Sequence, residues 1–225
     1  MDPLTSFVLV AGLISTAGLV YYVRFRLPRR LEERFRDSLM AFSTAVELRI
    51  PSQRGLTSRV VALSLAIARK LDLPEARRRD LEAAAMLRDI GLCSIPYGMM
   101  NDREEDAWTE AERLTFDRHA EISGAMLEAV PSLRAIAPLV RWHHAPFRAD
   151  DFNSSAPAGE SLPIEARILK AVGEYVWFER TRGDFLAKEA LRDGSGVAYD
   201  PRVVAVLMEV LRSPRVRPLR SLVHA

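Results

Sequence analysis

Residues 81–96, LEAAAMLRDIGLCSIP, give the chain its organisation. Ala83, Ala84 and Ala85 favour a helix and let a neighbouring helix approach closely, and Gly91 is expected to end that helix as a C′ residue. Asp89 therefore falls at a helix end. Beyond it lie His119 and the doublet His143-His144, three of the four histidines of the chain. Taken alone, His143 and His144 read as a helix-end pair satisfied by backbone carbonyls, and His119 as a surface residue flanked by Asp117, Arg118 and Glu121.

The chain has 225 residues, 48% of them hydrophobic, enough for one good-sized core with an appendage. Lys and Arg number 32 against 30 Asp and Glu, a formal charge of +2 that gives no ground for a nucleic-acid polymer as partner. Cys93 is the single cysteine, which excludes an intrachain disulfide and a cysteine zinc cluster and suits a reducing compartment.

Residues 4–23 are uncharged and mostly apolar, and a helix of about 20 residues spans the ~30 Å hydrocarbon core of a bilayer. Asp2 precedes this run and Arg24, Arg26, Arg29 and Arg30 follow it, the reverse of a cleaved signal peptide. Residues 1–23 are therefore expected to stay as a single-pass anchor in the inner membrane. The arginine side faces the cytoplasm by the positive-inside rule, which puts the domain that follows in the cytoplasm. Residues 24–44 read as a juxtamembrane amphipathic helix that opens near Pro28 and carries Leu31, Phe35, Leu39 and Phe42 at three- and four-residue steps. That stripe is expected mainly to pack on the domain core, and partly to serve as a signalling or dimerising face.

Helical periodicity continues over 59–71, 74–89, 109–130, 132–142, 163–179, 184–192 and 200–211, with no alternating strand pattern. The fold class is all-α. Thr109 and Glu112 form a capping-box pattern. The segment 145–161 reads as a long loop, a kind that is usually functional or disordered, and residues 212–225 as a basic tail.

These residues also carry a resemblance. Asp89-Ile90-Gly91, Ile95-Pro96, His119 five residues before Gly124, His143-His144, Leu162-Pro163 and Ala166-Arg167-Ile168-Leu169 occur in the order found in the HD-GYP phosphohydrolases of bacteria. Glu47, Arg49, Pro51, Arg54, Gly55 and Arg59-Val60 extend it upstream, and Tyr199-Asp200-Pro201 with Val203-Val204 extend it downstream. The chain thus resembles that family over residues 45–211. The resemblance implies an HD-superfamily helical bundle, with Asp89, His119, His143 and His144 brought together as ligands to iron or manganese.

Set against the family pattern, several positions depart. Arg88 stands where the resemblance implies a histidine ligand, Leu56 where it implies another histidine, and Ser52 where some members carry a glutamate. Leu92 replaces a lysine, and Gly173 replaces an aspartate ligand, with Glu174 beside it as a stand-in. After His144 the chain reads Ala145-Pro146-Phe147, without the Gly-Tyr-Pro segment. Asp150 and Asp151 are the other residues that could compensate from the loop. The remaining donors suffice for one metal ion and are too few for a well-held pair, and the permanent charge of Arg88 opposes a cation at its own position. Its guanidinium is expected to occupy part of the vacated site and to bond a carboxylate.

Three functional readings follow. The first is a membrane-tethered, degenerate HD-GYP-like domain, leaning away from an enzyme, that binds a partner protein or a nucleotide in bacterial signalling. The second is a working phosphohydrolase with an altered metal site, acting on cyclic-di-GMP or a related nucleotide. The third is a structural module that forms homodimers at the membrane through residues 31–42.

Overall fold

The computed structural model describes residues 2–101, 107–148 and 157–213. Eleven α-helices and no strand occur among the described residues, in agreement with the all-α expectation. The described residues fall into two compact units that divide between Ala41 and Phe42.

The first unit is helical throughout. Helix α1 (Pro3–Tyr21) buries none of its residues, and Leu4, Phe7, Leu13 and Ile14 are all more than half exposed. It is long and apolar enough to cross a membrane. The chain does not start a fresh helix at Pro28. Instead α1 runs through one π-helical turn, Tyr22–Arg26, into α2 (Leu27–Arg49). The proline explains the wide turn: its ring would clash with the carbonyl four residues back, and it has no N–H to donate. In the π turn Leu27 N–H reaches back five residues to Tyr22, so the turn before Pro28 is already opened. Within the predicted stripe Leu31, Phe35 and Phe42 are exposed. The spacing that continues inward is Ser43, Val46 and Ile50, all buried.

The second unit is built on α3 (Leu56–Lys70), α4 (Glu75–Leu87) and α9 (Ile164–Arg182). Helix α9 packs on α3, α4, α8 (Ala137–Arg141), α10 (Asp184–Asp193) and α11 (Pro201–Arg212). Leu63, Ile67, Leu81, Ile168, Leu169 and Tyr175 are almost fully excluded from solvent at their mutual packing surfaces. Full burial of such a side chain stabilises by about 1.5–3 kcal/mol. Gly55, at φ 77, begins α3 in a left-handed conformation, and the carboxylate of Glu47 accepts from Gly55 N–H at 2.8 Å and Thr57 N–H at 2.7 Å. At the start of α11, Asp200 accepts from Arg202 N–H at 2.8 Å.

Two local expectations are corrected. The helix predicted over 109–130 is two helices, α6 (Glu110–Asp117), opened by the Thr109–Glu112 capping box, and α7 (His119–Glu128). At the break the Phe116 carbonyl accepts from the His119 ring at 2.6 Å. Likewise α4 ends at Leu87, and Gly91 lies within a 3₁₀ turn, Ile90–Ser94, at negative φ. Gly91 is required there by close approach. A Cβ on it would collide with the His119 carbonyl and lie 2.7 Å from Ser123 Oγ and 2.8 Å from Ser123 N.

Candidate metal and ligand site

The turn after α4 carries Asp89 and is fastened from two sides. Ser123 on α7 accepts the Gly91 N–H at 2.8 Å. From α2, the Arg49 guanidinium donates to the carbonyls of Leu92, Cys93 and Ile95. Backbone hydrogen bonds and a bidentate cation thus fix where the Asp89 carboxylate points.

His119 and His143 reach the same place by the same device. Each follows a short helical segment and donates its Nδ1 proton to the carbonyl three residues earlier, His119 to Phe116 and His143 to Val140, both at 2.6 Å. A carbonyl can only accept, so Nδ1 carries the proton in both rings and each Nε2 presents a lone pair. Those lone pairs converge on Asp89 Oδ1, at 3.6 Å from His119 Nε2 and 3.7 Å from His143 Nε2. His144 Nε2 lies 3.3 Å from His119 Nε2, and ligand atoms of the three imidazoles all fall within 4.8 Å of one another. The three imidazoles thus lie together, and Asp89 meets two of them, His119 and His143.

The electrostatics match. Burial pushes the His143 pKa down to about 3, and His119 and Arg88 press in the same direction while Asp89 opposes them. Desolvation by the surrounding cluster, followed by His143, His119 and Lys170, lowers the His144 pKa below the ordinary imidazole range, although its side chain keeps 43% exposure. Burial alone would raise the Asp89 carboxyl, yet Arg88, with His119 and His143, holds it far below the usual carboxylate range. The result is a neutral His143 facing an ionised carboxylate.

This arrangement fits one metal ion. His143 Nε2 is buried without a hydrogen-bond partner and faces the anionic oxygen of Asp89. The 3.3–3.7 Å separations are those of ligands around a cation with bonds of about 2.0–2.2 Å. Asp89, His119, His143 and His144 would hold it, and such an ion would supply Lewis acidity toward a phosphoryl oxygen.

On the other side of Asp89 stands a protein cation. Arg88 Nε donates to Asp89 Oδ2 at 2.8 Å, and the arginine is buried. Its Nη1 lies over Gly173, where any Cβ would overlap it. The expectation that Arg88 bonds a carboxylate is met, and the two positions fit together sterically.

A cavity of about 1070 Å³ opens from this centre. Ser52, Leu56, Arg88, Leu92 and Gly173 all line it, so these five substituted positions face one space. Glu174 lines it too but is engaged elsewhere. It is ion-paired with Lys170, accepts from Tyr199 O–H at 2.5 Å, and lies 4.0 Å from His144 Nδ1. It is thus a neighbour of His144 and stands outside the ligand cluster. Asp150 and Asp151 lie outside the described residues. The sequence reading missed the aromatic wall of the cavity, Tyr97, Trp108, Phe116, Trp177 and Phe178, with Arg182 stacked on Phe178 at 4.9 Å. Trp177, one turn beyond Gly173 on α9, was the available signal.

Residues 41–203 match the family described as HD domain, and the chain belongs to that family. Among curated proteins it is 28% identical over 189 residues to the cyclic di-GMP phosphodiesterase response regulator RpfG of Xanthomonas campestris pv. campestris, covering 79% of this chain and 48% of that protein. The chain therefore spans about half the length of the curated relative it matches. In fold it is similar to a cyclic GMP-AMP specific phosphodiesterase of V. cholerae, with a TM-score of 0.63, 18% identity and coverage of 80% and 49% of the two chains. It is also similar to an HDG"Y"P protein of Bdellovibrio bacteriovorus, with a TM-score of 0.59, 15% identity and coverage of 81% and 64%.

Proposed function

We propose that the chain is a membrane-anchored, catalytically degenerate HD-GYP-like domain. It acts in bacterial signalling by binding a nucleotide or a partner protein. The observation that carries this reading is the ion pair between Arg88 and Asp89, with the guanidinium folded over Gly173 inside the cavity. A carboxylate that gives one oxygen to a resident cation cannot bridge two metal ions, the arrangement that clamps both attacking and leaving oxygens in phosphoryl transfer. The aromatic wall and the arginines of the cavity supply surfaces on which bases stack and charges that attract phosphate. Helix α1 supports the anchor, with the globular unit on the cytoplasmic side.

A second reading, an active phosphohydrolase with an altered site, is favoured by the intact convergence of Asp89 with three imidazoles. The two separate on one experiment. The full chain in detergent, prepared without oxygen, is incubated with cyclic-di-GMP and cyclic GMP-AMP in the presence of Mn²⁺ or Fe²⁺. Saturable binding without linear dinucleotide product is expected; metal-dependent appearance of product would establish the second reading instead.

A further inference from the structure

The steric fit of Arg88 against Gly173 has a bearing on the cation centre itself. Asp89 presents its two oxygens to different partners, Oδ1 toward the His119 and His143 lone pairs and Oδ2 to Arg88 Nε. The guanidinium can lie this way only because residue 173 has no Cβ. Around it the other charged groups lining the cavity are Asp117, Glu174, already paired with Lys170, and Arg182, stacked on Phe178. Among the described residues Asp89 meets Arg88 at 2.8 Å, and its other ion-pair partners are the two imidazoles at 3.6 and 3.7 Å.

We propose that Arg88 is a built-in competitor of the metal ion: its guanidinium, seated over Gly173, neutralises Asp89 when no metal is present and limits the centre to one weakly held divalent cation. Two consequences follow from like-charge repulsion in a buried site. Removing the charge at position 88 tightens metal binding. So does evicting the guanidinium without touching it, by adding one methyl group at position 173. Because both changes act through the same group, their effects are not additive. The inference rests on reading the centre as a cation site and is independent of turnover, because its readout is affinity.

The test is Mn²⁺ titration calorimetry on the full chain in detergent, with metal content of the dialysed protein as a second measure. The wild type, Arg88→Gln, Gly173→Ala and the double variant are compared. The expected result is one weak site in the wild type, binding at least tenfold tighter in each single variant, and no further gain in the double variant. Thermal melts with and without chelator give a second readout: a chelator leaves the wild type unchanged and lowers the melting temperature of Arg88→Gln. If Arg88→Gln fails to fold, Gly173→Ala alone carries the test. Unchanged or weaker Mn²⁺ binding in Gly173→Ala overturns the competitor role. Failure of every folded variant to bind Mn²⁺ overturns the cation centre as well, whatever the outcome of the nucleotide assay.

Discussion

The guanidinium of Arg49 and the carbonyl of Ile95 are joined at 2.6 Å, and the same guanidinium reaches the carbonyls of Leu92 and Cys93. One side chain at the end of α2 thereby closes the turn that presents Asp89. Hydrogen bonds from a charged donor contribute about 1.5–3 kcal/mol each, less where water competes. Arg49→Ala should cost roughly 2–3 kcal/mol, a fall of about 4–12 °C in melting temperature. Arg49→Lys should recover little of it, because a single ammonium cannot match the planar fork. A melt of the lysine variant equal to that of the wild type would contradict the clamp.

Gly91 makes a second, sharper point about the same turn. A methyl group there meets backbone of α7, which cannot swing aside as a flexible side chain can. Gly91→Ala should destabilise by about 3 kcal/mol. Ser123→Ala, which removes only the acceptor for Gly91 N–H, should cost about 1 kcal/mol. Equal effects in denaturant titrations would show that the seam is looser than described.

The pH dependence follows from His143. Its folded-state pKa lies near 3 against an ordinary 6.5, so below pH 6.5 the unfolded chain binds a proton that the folded chain refuses. The contribution is fully present above 6.5 and is lost as pH falls toward 3. Between pH 6.5 and 5 this group alone should remove roughly 1–2 kcal/mol, and His144 acts in the same direction. His143→Gln should flatten the slope of stability against pH over that interval; an unchanged slope would assign the dependence to other groups.

The lone cysteine offers a test of membrane placement. Cys93 is exposed on the globular unit, and nothing else in the chain carries a thiol. A membrane-impermeant maleimide should leave it unlabelled in intact spheroplasts and label it after permeabilisation. Labelling of intact spheroplasts would place the domain on the outer side. Deleting residues 2–23 should move the protein to the soluble fraction.

Much of the site could be read in the sequence. The resemblance to the HD-GYP family implied Asp89, His119 and the His143-His144 doublet as a metal-ligand set, and the arginine at position 88 as a competing charge. What could not be read was the way two distant positions solve one packing problem. Gly173 lies 85 positions from Arg88, and nothing local in either segment says that the missing Cβ makes room for the guanidinium. Gly91 was read as a helix stop because glycine commonly serves so, whereas here the seam with α7 demands it. The break at Arg118 escaped notice because the apolar periodicity runs on through it, and periodicity does not register a ring-to-carbonyl hydrogen bond such as that of His119. Glu174 was a reasonable stand-in ligand by position, but Lys170 and Tyr199 had already engaged its carboxylate.

The wide turn at Tyr22–Arg26 behaves as a one-residue insertion in an otherwise regular helix. Each residue of an α-helix advances by about 100°, so the insertion sets the angular phase of everything that follows it in the first unit. Deleting one residue between Tyr22 and Arg26 would return the segment to α geometry and swing Leu31 and Phe35 by about 100° around the axis. The direction these apolar side chains face is therefore a matter of phase fixed by Pro28 and the turn before it. A change of a single residue in length there would redirect the face without altering one of its amino acids.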